Sequence, residues 1–111
     1  MTSKHPKRYD IWLANLDPTL GSEINKIRPV VIVSDELMNK YLDTVVACPL
    51  TTSIHTQWRS RIQIQCSGKL AEIAVDQIRT LSKSRLIKKI DHLSNDNAQQ
   101  LRITITQMYG E

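Results

Sequence analysis

Short blocks of apolar residues separated by polar breaks run through most of the chain, and the spacing changes only near the end. Tyr9-Asp10-Ile11-Trp12-Leu13-Ala14 is rich in strand formers, with Tyr9, Ile11 and Leu13 on one face and Trp12 toward the other. It stops in the stretch Asn15 to Gly21, where Asp17-Pro18 and Gly21 break the pattern. Residues 22–28 carry no apolar periodicity, so Gly21 to Arg28 reads as an exposed loop. Pro29-Val30-Val31-Ile32-Val33 is a continuous β-branched run, the mark of a buried strand. Pro29 suits its first position, and a proline there forces Arg28 into an extended conformation. Ser34 or Asp35 can cap a short helix through Tyr41.

Thr44 to Leu50 forms a third strand-like run, with Pro49 suggesting an edge or an exit from the sheet. Thr51-Thr52-Ser53 opens a polar loop through Gln57. Arg61-Ile62-Gln63-Ile64-Gln65 alternates as a half-buried strand does. Ser67-Gly68 marks a turn, and Leu70 to Ile78 and Leu86 to Ile90 supply further strands. The period then becomes helical. Ser94 is an N-cap, Leu93 can staple to Ala98, and Ala98, Leu101, Ile105 and Met108 share one face. One amphipathic helix over residues 95–108, ended by Gly110, packs on the sheet. Five or more short strands with one or two helices predict a small, mostly β barrel. At 111 residues, the chain reads as a single domain, 1–111.

Composition narrows the function classes. The hydrophobic fraction of 41% is that of a globular domain, and no apolar run approaches the roughly 20 residues of a membrane span. Met1 to Arg8 is polar and basic, so a cytoplasmic protein without a signal peptide or membrane contact is expected. Cys48 and Cys66 lie in separate segments without a CxxC pattern and read as small buried hydrophobes. The net charge of +4 permits an anionic partner without requiring one.

Most dedicated chemistries lack their motifs. His5, His55 and His92 are far apart in sequence and show no metal-ligand spacing, so neither a metal nor a cofactor is expected. There is no GxSxG elbow, phosphate-binding loop or dinucleotide-binding glycine motif. What stands out is Gly21-Ser22-Glu23-Ile24-Asn25-Lys26-Ile27-Arg28-Pro29, which gathers a carboxylate, an amide and two cations in one short segment. Residue types alone leave it open as a solvated ion-pair loop or a functional one.

Leu16 to Glu23, then Asn25, then Arg28-Pro29-Val30-Val31-Ile32-Val33-Ser34, resembles the signature of the MazF/PemK toxins. So do Val46-Ala47-Cys48-Pro49-Leu50-Thr51-Thr52-Ser53 and Ala74-Val75-Asp76-Gln77-Ile78-Arg79-Thr80-Leu81. The three blocks occur in the family's order and extend from about Tyr9 to Arg79. The resemblance implies an SH3-like barrel shared with the gyrase poison CcdB, carrying a C-terminal amphipathic helix. It implies a homodimeric, sequence-specific endoribonuclease, the toxin of a type II toxin–antitoxin pair. The family's catalytic arginine falls on Arg28 and its catalytic threonine on Thr51, while Thr52 and Glu23 fall on positions used for substrate. Two features depart from the family. Tyr9 stands where a glycine often precedes the first strand's aspartate, and Gln57 to Leu70 aligns with no familiar version.

The residue types suit RNA cleavage by the ribose 2′-OH. Arg28 offers a planar fork of donors to phosphate oxygens, and Thr51 offers a hydroxyl to a non-bridging oxygen or to the 2′-OH. Arginine stays protonated, so Glu23 is the better base, with an ion pair to Lys26 or Arg28 or a role in base recognition as the competing readings. Binding of single-stranded RNA would use cations for the backbone, drawn from Lys26, Arg59, Arg61, Arg79, Lys83 and Arg85. Trp58 is a stacking platform or a packing aromatic. Asn25, Ser53 and Gln77 can meet the substrate, and Asp76 is expected to be structural.

The implied partners are single-stranded mRNA, a second copy of the chain, and a MazE/PemI-like antitoxin whose acidic tail covers Arg28. Operator DNA would be reached only through the antitoxin. The basic run Lys83 to Lys89 is a solvated face or a docking site for that tail. The Met38–Tyr41 region and the terminal helix are the candidate dimer surfaces. The alternatives are a CcdB-like module that poisons a protein target such as gyrase, or a degenerate toxin that only binds RNA or antitoxin.

Overall fold

A computed structural model describes residues 5–16 and 27–110. The elements run β1 (Asp10–Asn15), β2 (Ile27–Ile32), α1 (Glu36–Tyr41), β3 (Thr44–Thr51), β4 (Arg61–Cys66), β5 (Lys69–Ala74), β6 (Arg79–Ser82), β7 (Leu86–His92) and α2 (Asn95–Tyr109). The strands lie in the order β4-β5-β3-β2-β1-β7, with β6 also on β3, and each recorded pairing is antiparallel. The sheet curls into a half-barrel that carries the C-terminal helix, as the expected barrel class requires.

The curl separates two clusters of buried side chains. Ile11, Val31, Cys48, Leu50, Ile62, Ile73 and Leu101 belong to the first, with Ala98 and Leu101 supplied by α2. Trp12, Ala14, Val30, Ile32, Val45 and Leu81 form the second. β1 and β2 therefore bury both faces, which is why Val30-Val31-Ile32 is continuously apolar rather than alternating. Both cysteines are buried and free, and burial pushes the Cys48 thiol up to about 12.

Local signals place several boundaries. The Asp35 carboxylate accepts the Met38 N–H to start α1, and the Ser94 hydroxyl accepts the Asn97 N–H to start α2. Ser67 and Gly68 both have positive φ, 51° and 83°, so β4 and β5 join through a primed two-residue turn of matching twist. Gly110 ends α2 through a close approach, since a Cβ there would stand 2.8 Å from the Thr106 carbonyl oxygen.

Five expectations need correction. Arg28 and Pro29 lie inside β2, which begins at Ile27, because β1 extends to Asn15 and pairs with it. Pro49 lies in the centre of the sheet. It is tolerated because one flank of β3 pairs with β6 through Ala47 and with β5 only from Leu50, leaving a gap between the two ladders. The strand expected over Leu70 to Ile78 ends at Ala74, where a 3-10 turn over Val75–Gln77 reverses the chain into β6. On α2 Ala98, Leu101 and Thr104 are buried and Ile105 packs partly buried against the core, as expected for Ala98, Leu101 and Ile105, but Met108 is exposed. Tyr9 precedes the first strand with φ 74°, a left-handed backbone that favours glycine. Its N–H donates to the Ile32 carbonyl, its own carbonyl accepts from Leu93, and Arg102 lies over its ring.

Candidate active-site groove

β2 and β3 are neighbours, with Val30 opposite Pro49, so the start of β2 and the end of β3 meet at one rim of the sheet. That rim carries Arg28 and Thr51, which line a groove of about 570 Å³. The 3-10 turn and β6 bring Gln77 and Arg79 into the same wall. Pro49, Leu50 and Ala74 form its apolar floor. The Thr51 Oγ accepts the Ser53 N–H at 3.1 Å, which turns the chain out of β3 and leaves the hydroxyl proton available to donate into the groove.

Beneath the groove lies a charge network that the sequence reading did not anticipate. Glu72 of β5 has no solvent exposure. One of its carboxylate oxygens accepts the His55 backbone N–H at 2.6 Å and the Gln63 side-chain amide at 2.8 Å. The other accepts Arg61 at 2.7 Å and lies 3.0 Å from His55 Nδ1. Burial pushes the Glu72 carboxyl up, but His55, Arg61 and Gln63 outweigh it and hold it at about 2. Arg61 also donates to Asp76 at 2.8 Å, and Ser60 donates to the same oxygen. The Arg61 guanidinium holds the Asp76 carboxyl below its ordinary range, against the opposing effect of burial.

The network reassigns several residues. Arg61, a candidate backbone cation, does line the groove, yet its side chain is 6% exposed and its charge is met by two carboxylates. Asp76 is structural, as expected. Trp58 stacks on His55 with ring centroids 3.9 Å apart, and Arg61 lies over its ring. Trp58 and Arg59 line a separate cavity against Gln107 and Met108 of α2 rather than the groove. Thr52 and Ser53 are exposed beside Thr51, and neither lines the groove. Arg85 donates to the Asn15 carbonyl and does not line the groove. Glu23, Asn25 and Lys26 lie outside the described residues. His55, which lines the groove, and Glu72, buried beneath it, were missed as site residues. The only available signal was a lone glutamate interrupting the apolar run Leu70 to Val75.

The fold is a curled half-barrel sheet with a C-terminal helix, and the groove at its rim is lined by Arg28, Thr51, Gln77 and Arg79. The family model for the PemK-like, MazF-like toxin of type II toxin–antitoxin systems matches residues 7–109. A protein named Endoribonuclease MazF, from Staphylococcus saprophyticus, is 36% identical over 109 residues, covering 94% of this chain and 91% of that protein. The crystal structure of MazE-MazF (Form-II) from Deinococcus radiodurans superposes with a TM-score of 0.83 at 20% identity, covering 97% of this chain and 98% of that one. An endoribonuclease from a mycobacterial species does so with a TM-score of 0.80 at 21% identity, over 96% and 93% of the two chains. These two structures share the fold. The chain belongs to the PemK-like, MazF-like family of type II toxins.

Proposed function

We propose that this protein is a metal-independent, sequence-specific endoribonuclease toxin that cuts single-stranded mRNA by attack of the ribose 2′-OH. The observation that carries this reading is the convergence of Arg28, Thr51, Gln77 and Arg79 on one groove. Arg28 donates its fork to the scissile phosphate and opposes the charge that builds on the phosphorane. Thr51 donates its free hydroxyl proton to a non-bridging oxygen. Gln77 reads a base edge, and Arg79 holds the next phosphate. Glu23 is the candidate base, and Asn25 and Lys26 are candidate substrate contacts from the same segment.

The partners follow from the same surface. An acidic antitoxin segment complements the Arg28–Arg79 groove and blocks RNA, a reading supported by the likeness to the MazE-MazF structure. Dimerisation would cover Leu37 and Tyr41 of α1, 70% and 69% exposed, or Ile103 of α2.

The test is purified protein with a long single-stranded RNA in EDTA, beside Arg28→Ala and Thr51→Ala, with ends mapped by primer extension. Discrete cuts are expected, weakened about 10²–10³-fold in each variant. Intact RNA in every lane with folded protein would refute the reading and direct attention to a protein target such as gyrase. Glu23→Gln at saturating RNA decides the base, since unchanged cleavage removes that role.

A further inference from the structure

The Glu72 network holds one group in an arrangement that packing alone does not explain. His55 contributes to the groove wall with Arg28 and Thr51, and its side chain is 31% exposed. Four contacts fix it. Its backbone N–H is held by Glu72, its Nδ1 lies 3.0 Å from the other oxygen of the same carboxylate and 3.1 Å from Arg61 Nη1, and its ring face is stacked on Trp58. These contacts engage Nδ1 and fix the ring orientation, which leaves Nε2 as the nitrogen that can carry a transferable proton. The second ring nitrogen, Nε2, has no hydrogen-bond partner among the described residues.

Charge balance points the same way. Glu72, Asp76 and Arg61 sum to −1, so a proton on His55 neutralises the cluster. The other charges facing the ring across the groove are Arg28 and Arg79. A negatively charged RNA phosphate there would offset them.

We propose that His55 is the general acid of RNA cleavage, with Nε2 protonating the leaving 5′-oxygen, and that Glu72 is its positioning residue. This rests on the ribonuclease reading above. The 2′-oxygen forms a bond to phosphorus as its proton passes to the general base and from there to water. The P–O5′ bond breaks, and the departing oxygen takes the proton from Nε2. The products are a 2′,3′-cyclic phosphate and a 5′-hydroxyl end, and His55 regains its proton from water. Nothing beyond RNA and water is consumed.

The decisive probe is a matched pair of RNA oligonucleotides carrying the mapped cleavage site, one with the natural 5′-oxygen and one with sulfur bridging at that position. A thiolate leaves without protonation, so the sulfur substrate does not need a general acid. His55→Gln keeps a donor for Glu72 and should preserve the fold, which circular dichroism checks. The variant is expected to cut the oxygen substrate about 10²–10³-fold more slowly than wild type, and the sulfur substrate within about threefold of it. Glu72→Gln should show the same pattern with a smaller loss. The wild-type rate on the oxygen substrate should fall toward alkaline pH, and that fall should vanish with sulfur; this comparison needs no variant. Equal slowing of His55→Gln on both substrates, or an unchanged rate on the oxygen substrate, would overturn the assignment. A wild-type protein that cuts neither substrate would remove the ribonuclease reading and this proposal with it.

Discussion

Replacing Glu72 with glutamine tests the charge network in the ground state, independently of any catalysis. The substitution keeps size and shape but removes the charge that faces His55 and Arg61. In the folded protein Glu72 titrates at about 2 against an ordinary value of 4.5. A folded value below the unfolded one means that the charged form stabilises the fold. This contribution is present above pH 4.5 and is lost as pH falls toward 2. The difference corresponds to roughly 3 kcal/mol. The network lies beside an open groove, so screening reduces this to about 1–2 kcal/mol. Leaving Arg61 short of one carboxylate adds to the loss, although Asp76 still holds its Nε. Urea denaturation of both proteins at pH 7 and at steps down to pH 2.5 measures the gap. Glu72→Gln should be less stable by about 2 kcal/mol at neutral pH, lowering Tm by roughly 6–12 °C. The gap should narrow steadily below pH 4.5. A gap under about 0.5 kcal/mol at pH 7, or one that does not change with pH, would show that the carboxylate is not held by these donors.

Three further outcomes follow from the packing and the groove. Leu101→Ala removes a side chain with no exposure between α2 and the sheet, and should cost about 2–5 kcal/mol in denaturant unfolding. Gly68→Ala meets no neighbouring atom within 4 Å, so its cost of about 1–2 kcal/mol should come from the backbone at φ 83° alone; replacement by asparagine should cost less. RNA affinity measured against salt should fall linearly on logarithmic axes, and Arg79→Gln should flatten the slope by about 0.7 while Arg61→Gln leaves it unchanged, because Arg61 is already neutralised by Glu72 and Asp76.

Most of the elements were legible along the chain because their signals are local. Period-two alternation in residues 61–65, the β-branched run from Val30, and the caps Asp35 and Ser94 act over three to six residues. Arg28 and Thr51 were identified through a family resemblance carried by contiguous blocks. The strand Arg79–Ser82 escaped notice because a three-residue 3-10 turn separates it from β5, and such a turn leaves no periodicity of its own. The central position of Pro49 depends on how β3 divides one flank between β5 and β6, which no local pattern records.

Tertiary structure alone decided the chemistry around Glu72. By alternation Leu70, Glu72 and Ala74 share the face opposite Ala71 and Ile73, which suggests a solvent-facing glutamate. The pairing of Gln63 with Glu72 instead places β4 beside it, and Arg61 and Gln63 reach its carboxylate. The loop after β3 folds back over that face and brings His55 from 17 positions away. A carboxylate can be buried only where donors converge on it, and convergence is a property of the fold. The sequence by itself determined a small, mostly β barrel with a C-terminal helix, and its family resemblance marked Arg28 and Thr51. The meeting of those residues in one groove, and the buried carboxylate that turns a lone histidine toward it, exist only once distant segments close against one another.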